Sequence, residues 1–386
     1  MSLAALDRLR KQLDALNEQG LLRQRRLLQS AQGARIRFDD RPVLSFCSND
    51  YLGLAQHPAL SAAVRDALPR MGVGAGASHL ITGHHSAHHE FEQAYAQFAR
   101  FPAALLFSSG YMANLGIVTA LAGRNGEIFA DKLNHASLND AAILSRARFS
   151  RYGHNDMAAL ERLLKASRAA EKIVAVDAVF SMDGDLADLP RILELCEACD
   201  AWLLVDDAHG FGVLGANGRG TLAHFGLDSQ RIIYMATLGK AAGVSGAVVA
   251  AQREVIAWLV QKAKTYIYTT ATPPILSAAL LASLALIAAA DDRRAHLRRL
   301  IAQLRQGLQS QGWTLCDSMT AIQPVITGGN AAALALSERL LAQEILVPAI
   351  RPPTVPRGSA RLRISLSAAH SEADVAQLLA ALAAAA

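Results

Sequence analysis

Lys240 sits in a run of small residues, Thr237-Leu238-Gly239-Lys240-Ala241-Ala242-Gly243. A lysine amine in a compact loop is approachable, shifts its pKa readily on burial and forms Schiff bases with carbonyl compounds. Upstream, the apolar run Ala201-Trp202-Leu203-Leu204-Val205 ends in Asp206-Asp207-Ala208-His209. An acid and an imidazole therefore stand at the end of an expected buried strand, where open α/β sheets hold ligands. Amine, acid and imidazole are groups an enzyme needs when it borrows its chemistry from pyridoxal 5′-phosphate (PLP). Strand side chains alternate faces, so only one of Asp206 and Asp207 can meet a site directly. The plainer readings are an acidic strand end satisfied by a helix N-terminus or a metal, and a surface or anion-binding lysine. A Walker-type phosphate loop is excluded, because the upstream glycine spacing is missing and Ala241 stands in place of Ser or Thr.

Further candidates fall near other expected strand ends. Leu105-Leu106-Phe107-Ser108-Ser109-Gly110-Tyr111-Met112-Ala113-Asn114 reads as a strand, a Ser/Gly turn and a helix start, an arrangement whose backbone N–H groups bind phosphate. Ser109 is equally a simple N-cap. His135 follows the apolar run 127–130 and could stack on an aromatic ring. Ser181 follows the run 172–176, and Thr237 could bind a phosphate oxygen. Arg361 and Arg363 share one face of a C-terminal strand, with Leu362 and Ile364 on the other. A guanidinium so placed suits bidentate carboxylate binding, and a solvated strand face explains it as well. The stiff turn Arg351-Pro352-Pro353-Thr354-Val355-Pro356 adds a cation and a hydroxyl.

Some patterns point elsewhere and are set aside. His84-His85-Ser86-Ala87-His88-His89 holds i,i+4 histidine pairs, but no nearby acidic or cysteine ligand completes an obvious zinc site, and no metal is expected. Cys196-Glu197-Ala198-Cys199 is a lone pair without a second one. Gly72-Val73-Gly74-Ala75-Gly76 resembles half of a dinucleotide fingerprint but follows no strand.

These residues need a scaffold, and the pattern supplies one. Residues 2 to about 30 read as a charged amphipathic helix with Leu6, Leu9, Leu13 and Leu16 at helical spacing, followed by a short strand pair, 35–38 and 43–46. Strands are expected at 103–107, 127–130, 172–176, 202–205, 232–235 and 247–250. Helices are expected at 59–68, 85–98, 112–121, 157–167 and 190–199. Such alternation indicates an α/β fold with a mainly parallel sheet flanked by helices. Helix then dominates to about 310, including an apolar stretch after Pro273-Pro274 that is short for a membrane span. Strand 322–326, helix 330–343, strands 346–350 and 361–366 and helix 372–386 form a small C-terminal α+β domain. The expected divisions are 1–50, 51–290 and 291–386.

Composition agrees. The 386 residues are 52% apolar and 18% charged, enough for a large core and unlike a disordered chain. The net charge of +5 fits an anionic small ligand, and the longest basic run, Arg25-Arg26, argues against nucleic acid. Four cysteines suggest a reducing compartment, and the first residues lack the apolar core of a signal peptide, so a soluble cytoplasmic protein is expected.

Taken in order, Ser45–Leu54, Val179–Asp185, Val205–Gly210, Thr237–Gly243 and Ile350–Pro356 resemble the PLP-dependent α-oxoamine synthases, of fold type I in the aspartate aminotransferase-like superfamily. The resemblance covers essentially the whole chain. It implies a PLP-dependent acyltransferase and a homodimer. Lys240 would carry PLP as a Schiff base, Asp206 would pair with the ring nitrogen, His209 and Ser181 would contact the phenolic oxygen, and His135 would stack on the ring. Gly110, Tyr111 and Thr237 would hold the phosphate, with Thr270 reaching in from the other subunit. Asn49 would lie near the substrate, Arg363 would take the amino-acid carboxylate, and Arg23, Arg351 and Thr354 would face the substrates. The Arg351–Pro356 stretch favours L-alanine with a pimeloyl thioester, on coenzyme A or acyl carrier protein, over the pairs used by glycine-specific relatives. The intact lysine, acid and histidines argue against a non-catalytic member. Asp177-Ala178 departs from the Glu-Gly expected before Val179.

Overall fold

A computed structural model describes residues 4–23 and 25–385. The chain begins with helix Ala4–Glu18, then β1 (Arg35–Phe38) and β2 (Arg41–Ser45). The expected helix to residue 30 stops early, at Glu18, and Gly20 follows with φ +63°, a left-handed turn that helix cannot continue through. Ser2, Leu3 and Gln24 of that expectation lie outside the described residues. The strands that follow are β3 (Ala103–Phe107), β4 (Gly126–Asp131), β5 (Arg148–Tyr152), β6 (Glu171–Asp177), β7 (Trp202–Asp206), β8 (Ile232–Thr237) and β9 (Ala247–Ala251). After a helical stretch come β10 (Ile322–Gly328), β11 (Ile345–Leu346), β12 (Ala349–Ile350) and β13 (Ala360–Ser365).

Two compact units result. One comprises residues up to Ser48, Met182–Gly184 and Leu297 onward, and the other holds Asn49–Ser181 and Asp185–His296. This replaces the three segments expected from sequence: β11 pairs in parallel with β2, so the N-terminal stretch belongs with the C-terminal one. In that unit the single strand expected at 346–350 is two short ones, because β12 leaves β11's sheet and pairs antiparallel with β13. Every residue of β13 is buried, including Arg361 and Arg363 at 4% and 5% exposure, which removes the solvated-face reading. Arg361 Nη1 donates to Asp183 Oδ1 at 2.5 Å and to the Met182 carbonyl at 3.1 Å.

The other unit is built on a seven-stranded sheet in the order β3-β9-β8-β7-β6-β4-β5. β5, β4, β6, β7 and β8 run parallel, and β9 is antiparallel to both β8 and β3. β4, β6, β7, β8 and β9 are almost entirely buried, as parallel strands covered on both faces are. Ile128, Ile173, Leu204, Ile233 and Val249 pack there with Ile117, Leu138 and Leu259 from the covering helices. Edge strand β5, Arg148-Phe149-Ser150-Arg151-Tyr152, is missing from the sequence reading. Its charged, partly exposed pattern looks like loop. Helix Ala136–Ser145 is also missing from it, since its Ala, Ser and Asn residues give a weak helical period. Among the described residues no single helix is long and apolar enough to cross a membrane.

Candidate active site

β4, β6, β7 and β8 end on the same side of the sheet, and a cavity of about 210 Å³ opens there. Its lining includes Gly110, Tyr111, His135, Ser181, Asp206, His209, Thr237 and Lys240, eight residues singled out from sequence. Ser137, Asp177, Val179 and Ala208 complete it.

Asp206 ends β7 with its side chain on the cavity wall. Asn114 Nδ2 donates to its Oδ2 at 2.8 Å, and the Ala208 N–H donates to its Oδ1 at 3.1 Å. Asn114 also donates to Ser137 Oγ at 2.9 Å, so it tethers the helix Gly110–Leu121 to both. Asp207 turns away and is fully buried. It accepts from Tyr234 Oη at 2.6 Å and from the Thr221 N–H at 2.8 Å, and burial pushes its carboxyl up to about 7 despite those bonds. Strand alternation separates the two acids, and packing decides which one meets the cavity.

Lys240 lies in the loop joining β8 to β9, half-buried. Its Nζ is 2.9 Å from His209 Nε2. His209 Nδ1 is 2.6 Å from Tyr51 Oη, and Tyr51 Oη donates to Asn49 Oδ1 at 3.1 Å. One proton arrangement satisfies the chain: the lysine donates to Nε2, His209 Nδ1–H donates to the phenol oxygen, and the phenol donates to Asn49. The turn carrying Asn49 and Tyr51 is fixed by Asp50, whose carboxylate accepts from the Leu54 and Ala55 N–H groups at 2.8 and 2.9 Å, and by Arg293 Nη1 donating to the Leu52 carbonyl at 2.9 Å. Gly243 closes the lysine loop against it. With φ +68°, it leaves no room for a Cβ, which would stand 2.6 Å from Ala55 N.

His135 is the N-cap of helix Ala136–Ser145, its Nδ1 accepting from the Ser137 N–H at 3.2 Å. Its backbone N–H donates to Asp177 Oδ2 at 2.9 Å, so main chain and ring are each anchored. Burial, then the charge of Asp206, drives the Asp177 carboxyl well above the usual carboxylate range. At the opposite wall the helix Gly110–Leu121 starts with Ser109 Oγ accepting from the Met112 N–H at 3.2 Å. A Cβ on Gly110 would meet Thr237 Cγ2 at 2.6 Å, so glycine lets the helix start approach β8. Tyr111 donates its hydroxyl to Asp140.

The remaining sequence candidates lie elsewhere. Thr270 is exposed, bridges to Ser78 and lines a separate hollow with His79 and Tyr266. Arg23, Arg351, Thr354 and Arg363 belong to the other unit. Arg23 and Thr354 are exposed there, Arg351 Nη1 donates to the Gly20 carbonyl, and buried Arg363 donates to Ser365 Oγ at 2.7 Å. Tyr51 and Asn114 carry no role in the sequence reading. Both stand inside quoted motifs, and a buried Asn in an otherwise apolar helix was the available signal.

A profile of the family "Aminotransferase class I and II" matches residues 41–382. The chain belongs to this family. Among class I and II relatives, an 8-amino-7-oxononanoate synthase from Methylobacillus flagellatus is 60% identical over 374 residues, 97% of this chain and 94% of the relative. A solved structure of SPT with PLP superposes with a TM-score of 0.94 at 29% identity, covering 100% of this chain and 98% of that one. A crystal structure of 8-amino-7-oxononanoate synthase from Francisella tularensis gives a TM-score of 0.78 at 31% identity, over 89% and 97% of the two chains.

Proposed function

We propose that this chain is a PLP-dependent acyltransferase that condenses L-alanine with a pimeloyl thioester, giving 8-amino-7-oxononanoate, carbon dioxide and free thiol, a step of biotin biosynthesis. The juxtaposition of Lys240, His209, Asp206 and His135 on one cavity carries the reading, and the 60% identity to a named synthase supports the choice of substrates.

The cavity fits PLP by its donor set. It offers an amine at Lys240, a carboxylate at Asp206, hydroxyls at Ser181 and Thr237, and a helix start at Gly110 with no Cβ in the way. N–H groups at such a start lack intrahelical partners and suit a phosphate. When bound, PLP supplies an electron sink for the pair left on the amino-acid Cα after its proton departs. Lys240 Nζ is the group that would hold the cofactor and, once released, would take that proton. His209 Nε2 accepts from Nζ–H and so steers the amine's lone pair. Asp206, fixed by Asn114 and the Ala208 N–H, would pair with the ring nitrogen. His135 is clamped by Ser137 and Asp177, so it forms a rigid cavity wall. The new bond joins alanine Cα to the acyl carbon, the C–S bond breaks and its sulfur leaves as the free thiol with one proton, and the alanine carboxylate leaves as carbon dioxide, its electron pair taking a proton back at Cα.

The reading includes a homodimer in which Thr270 serves the partner's cavity, with Asn49, Arg23, Arg351, Thr354 and Arg363 contacting the substrates. The test is turnover of L-alanine and glycine, each crossed with pimeloyl-CoA, pimeloyl acyl carrier protein and acetyl-CoA. Alanine with one of the pimeloyl donors is the expected productive pair. Turnover confined to glycine with the short donor would replace it by a glycine C-acetyltransferase reaction.

A further inference from the structure

The histidine run at residues 84–89 plays no part in the cavity described above. We propose that His84 and His89, together with Glu92, form a binding site for a divalent transition-metal cation of the imidazole-preferring class, zinc being the type case. One ligand atom from each of the three lies within 4.8 Å of the others. His89 and Glu92 are three residues apart on the helix Ser86–Ala99 and share a face, while His84 stands just before the helix begins. Two imidazoles and a carboxylate are the ligand set of open zinc sites, with the fourth position left to water.

The surroundings orient the ligands. Glu92 is only 8% exposed, and the Leu106 N–H donates to its Oε1 at 2.8 Å, which leaves Oε2 toward His84. Oε2 lies 3.9 Å from His84 Nε2, so carboxylate and imidazole already converge on one point. His84 Nδ1 is 3.1 Å from His79 Nδ1, and the His79 ring stacks on Tyr266 with centroids 4.6 Å apart. The second nitrogen of a metal-bound imidazole is ordinarily held by a hydrogen bond, and His79 stands in that place for His84. His84 is an exposed residue whose side chain is 31% accessible, so an ion has a route in from solvent.

His79, His84 and His88 form a competing cluster of similar size. His88 is already engaged, its Nδ1 accepting from the His85 N–H at 3.0 Å and its Nε2 lying 2.8 Å from the Thr272 carbonyl. Binding there would uncap the helix. The trio with Glu92 loses one neighbour contact, Gln93 Nε2 at 2.9 Å from His89 Nε2.

The test is zinc titration of the PLP-loaded protein against a chromophoric chelator, with X-ray absorption at the zinc edge. We expect one zinc per chain with nitrogen and oxygen at about 2.0–2.2 Å and no sulfur shell. His84→Ala, His89→Ala and Glu92→Gln should each weaken binding at least about 10-fold, with the folded protein and its PLP content unchanged. Glu92→Gln keeps an acceptor for the Leu106 N–H, so it separates lost ligation from lost packing. Failure to saturate at one zinc per chain, a sulfur shell, or equal affinity in His89→Ala and Glu92→Gln would overturn the site.

Discussion

Tyr51 Oη, 2.6 Å from His209 Nδ1, sets which tautomer that ring presents to Lys240. Without the phenol, Nδ1–H loses its acceptor and either tautomer becomes available. Tyr51→Phe should therefore slow turnover by about 2- to 10-fold, the worth of a neutral hydrogen bond of roughly 0.5–1.5 kcal/mol. The loss should appear in kcat with PLP still bound, measured by steady-state kinetics beside an absorbance spectrum. An unchanged kcat would show that the phenol does not govern the tautomer. Asp206 and Asp207 make the complementary point. Neighbours in sequence, they differ because one accepts from Asn114 at the cavity and the other is closed in by Tyr234 and Thr221.

Elements act here mainly through where they end. The loop after β8 carries Lys240, and Gly243 docks it on the Asn49–Ala55 turn. Gly243→Ala forces a Cβ onto backbone atoms at 2.6–2.7 Å in a left-handed conformation. Such strain costs about 1–3 kcal/mol, and relieving it would move the loop. We expect a lower urea midpoint and weaker PLP capture, read by denaturation and by absorbance. A variant as stable as the parent that captures PLP equally well would contradict this account of the loop.

At the scale of the molecule two measurements follow. His154 is held between Asp131, 3.2 Å from Nδ1, and Asp185, 2.7 Å from Nε2. Burial alone would lower its pKa, but the two carboxylates outweigh that and raise it to about 10. A raised histidine stabilises the fold fully below its unfolded value near 6.5, and that contribution fades as pH climbs toward 10. Its ring resonances should therefore stay those of imidazolium through neutral pH, and His154→Gln should flatten the alkaline fall in melting temperature. The second measurement tests the proposed homodimer. Mixed dimers of Lys240→Ala and Thr270→Ala chains would hold one intact site if Thr270 serves the partner's cavity. Activity of the mixture should then exceed the mean of the two variants, and no gain would assign Thr270 to its own chain.

The sequence by itself determined the α/β class, the sheet's buried strands and eight of the cavity residues. Long apolar runs and glycine-rich turns are local signals, and ordered motifs keep their order when the chain folds. It could not choose between Asp206 and Asp207 by alternation, because alternation separates their faces without saying which face packs. It read Arg361 and Arg363 as open to solvent or function alike, whereas a third strand and the Asp183 turn bury them. It placed 1–50 apart, because the β2–β11 pairing joins residues some 300 positions distant, and no local pattern records that. Glu92 was missed although its i,i+3 spacing from His89 is local; only its approach to His84 needed the fold. Its place near His84 depends on the backbone path into the helix, and the pairing of that helix with the Leu106 N–H fixes which oxygen it offers. Tertiary structure decided these points because each depends on which groups the folded backbone brings together.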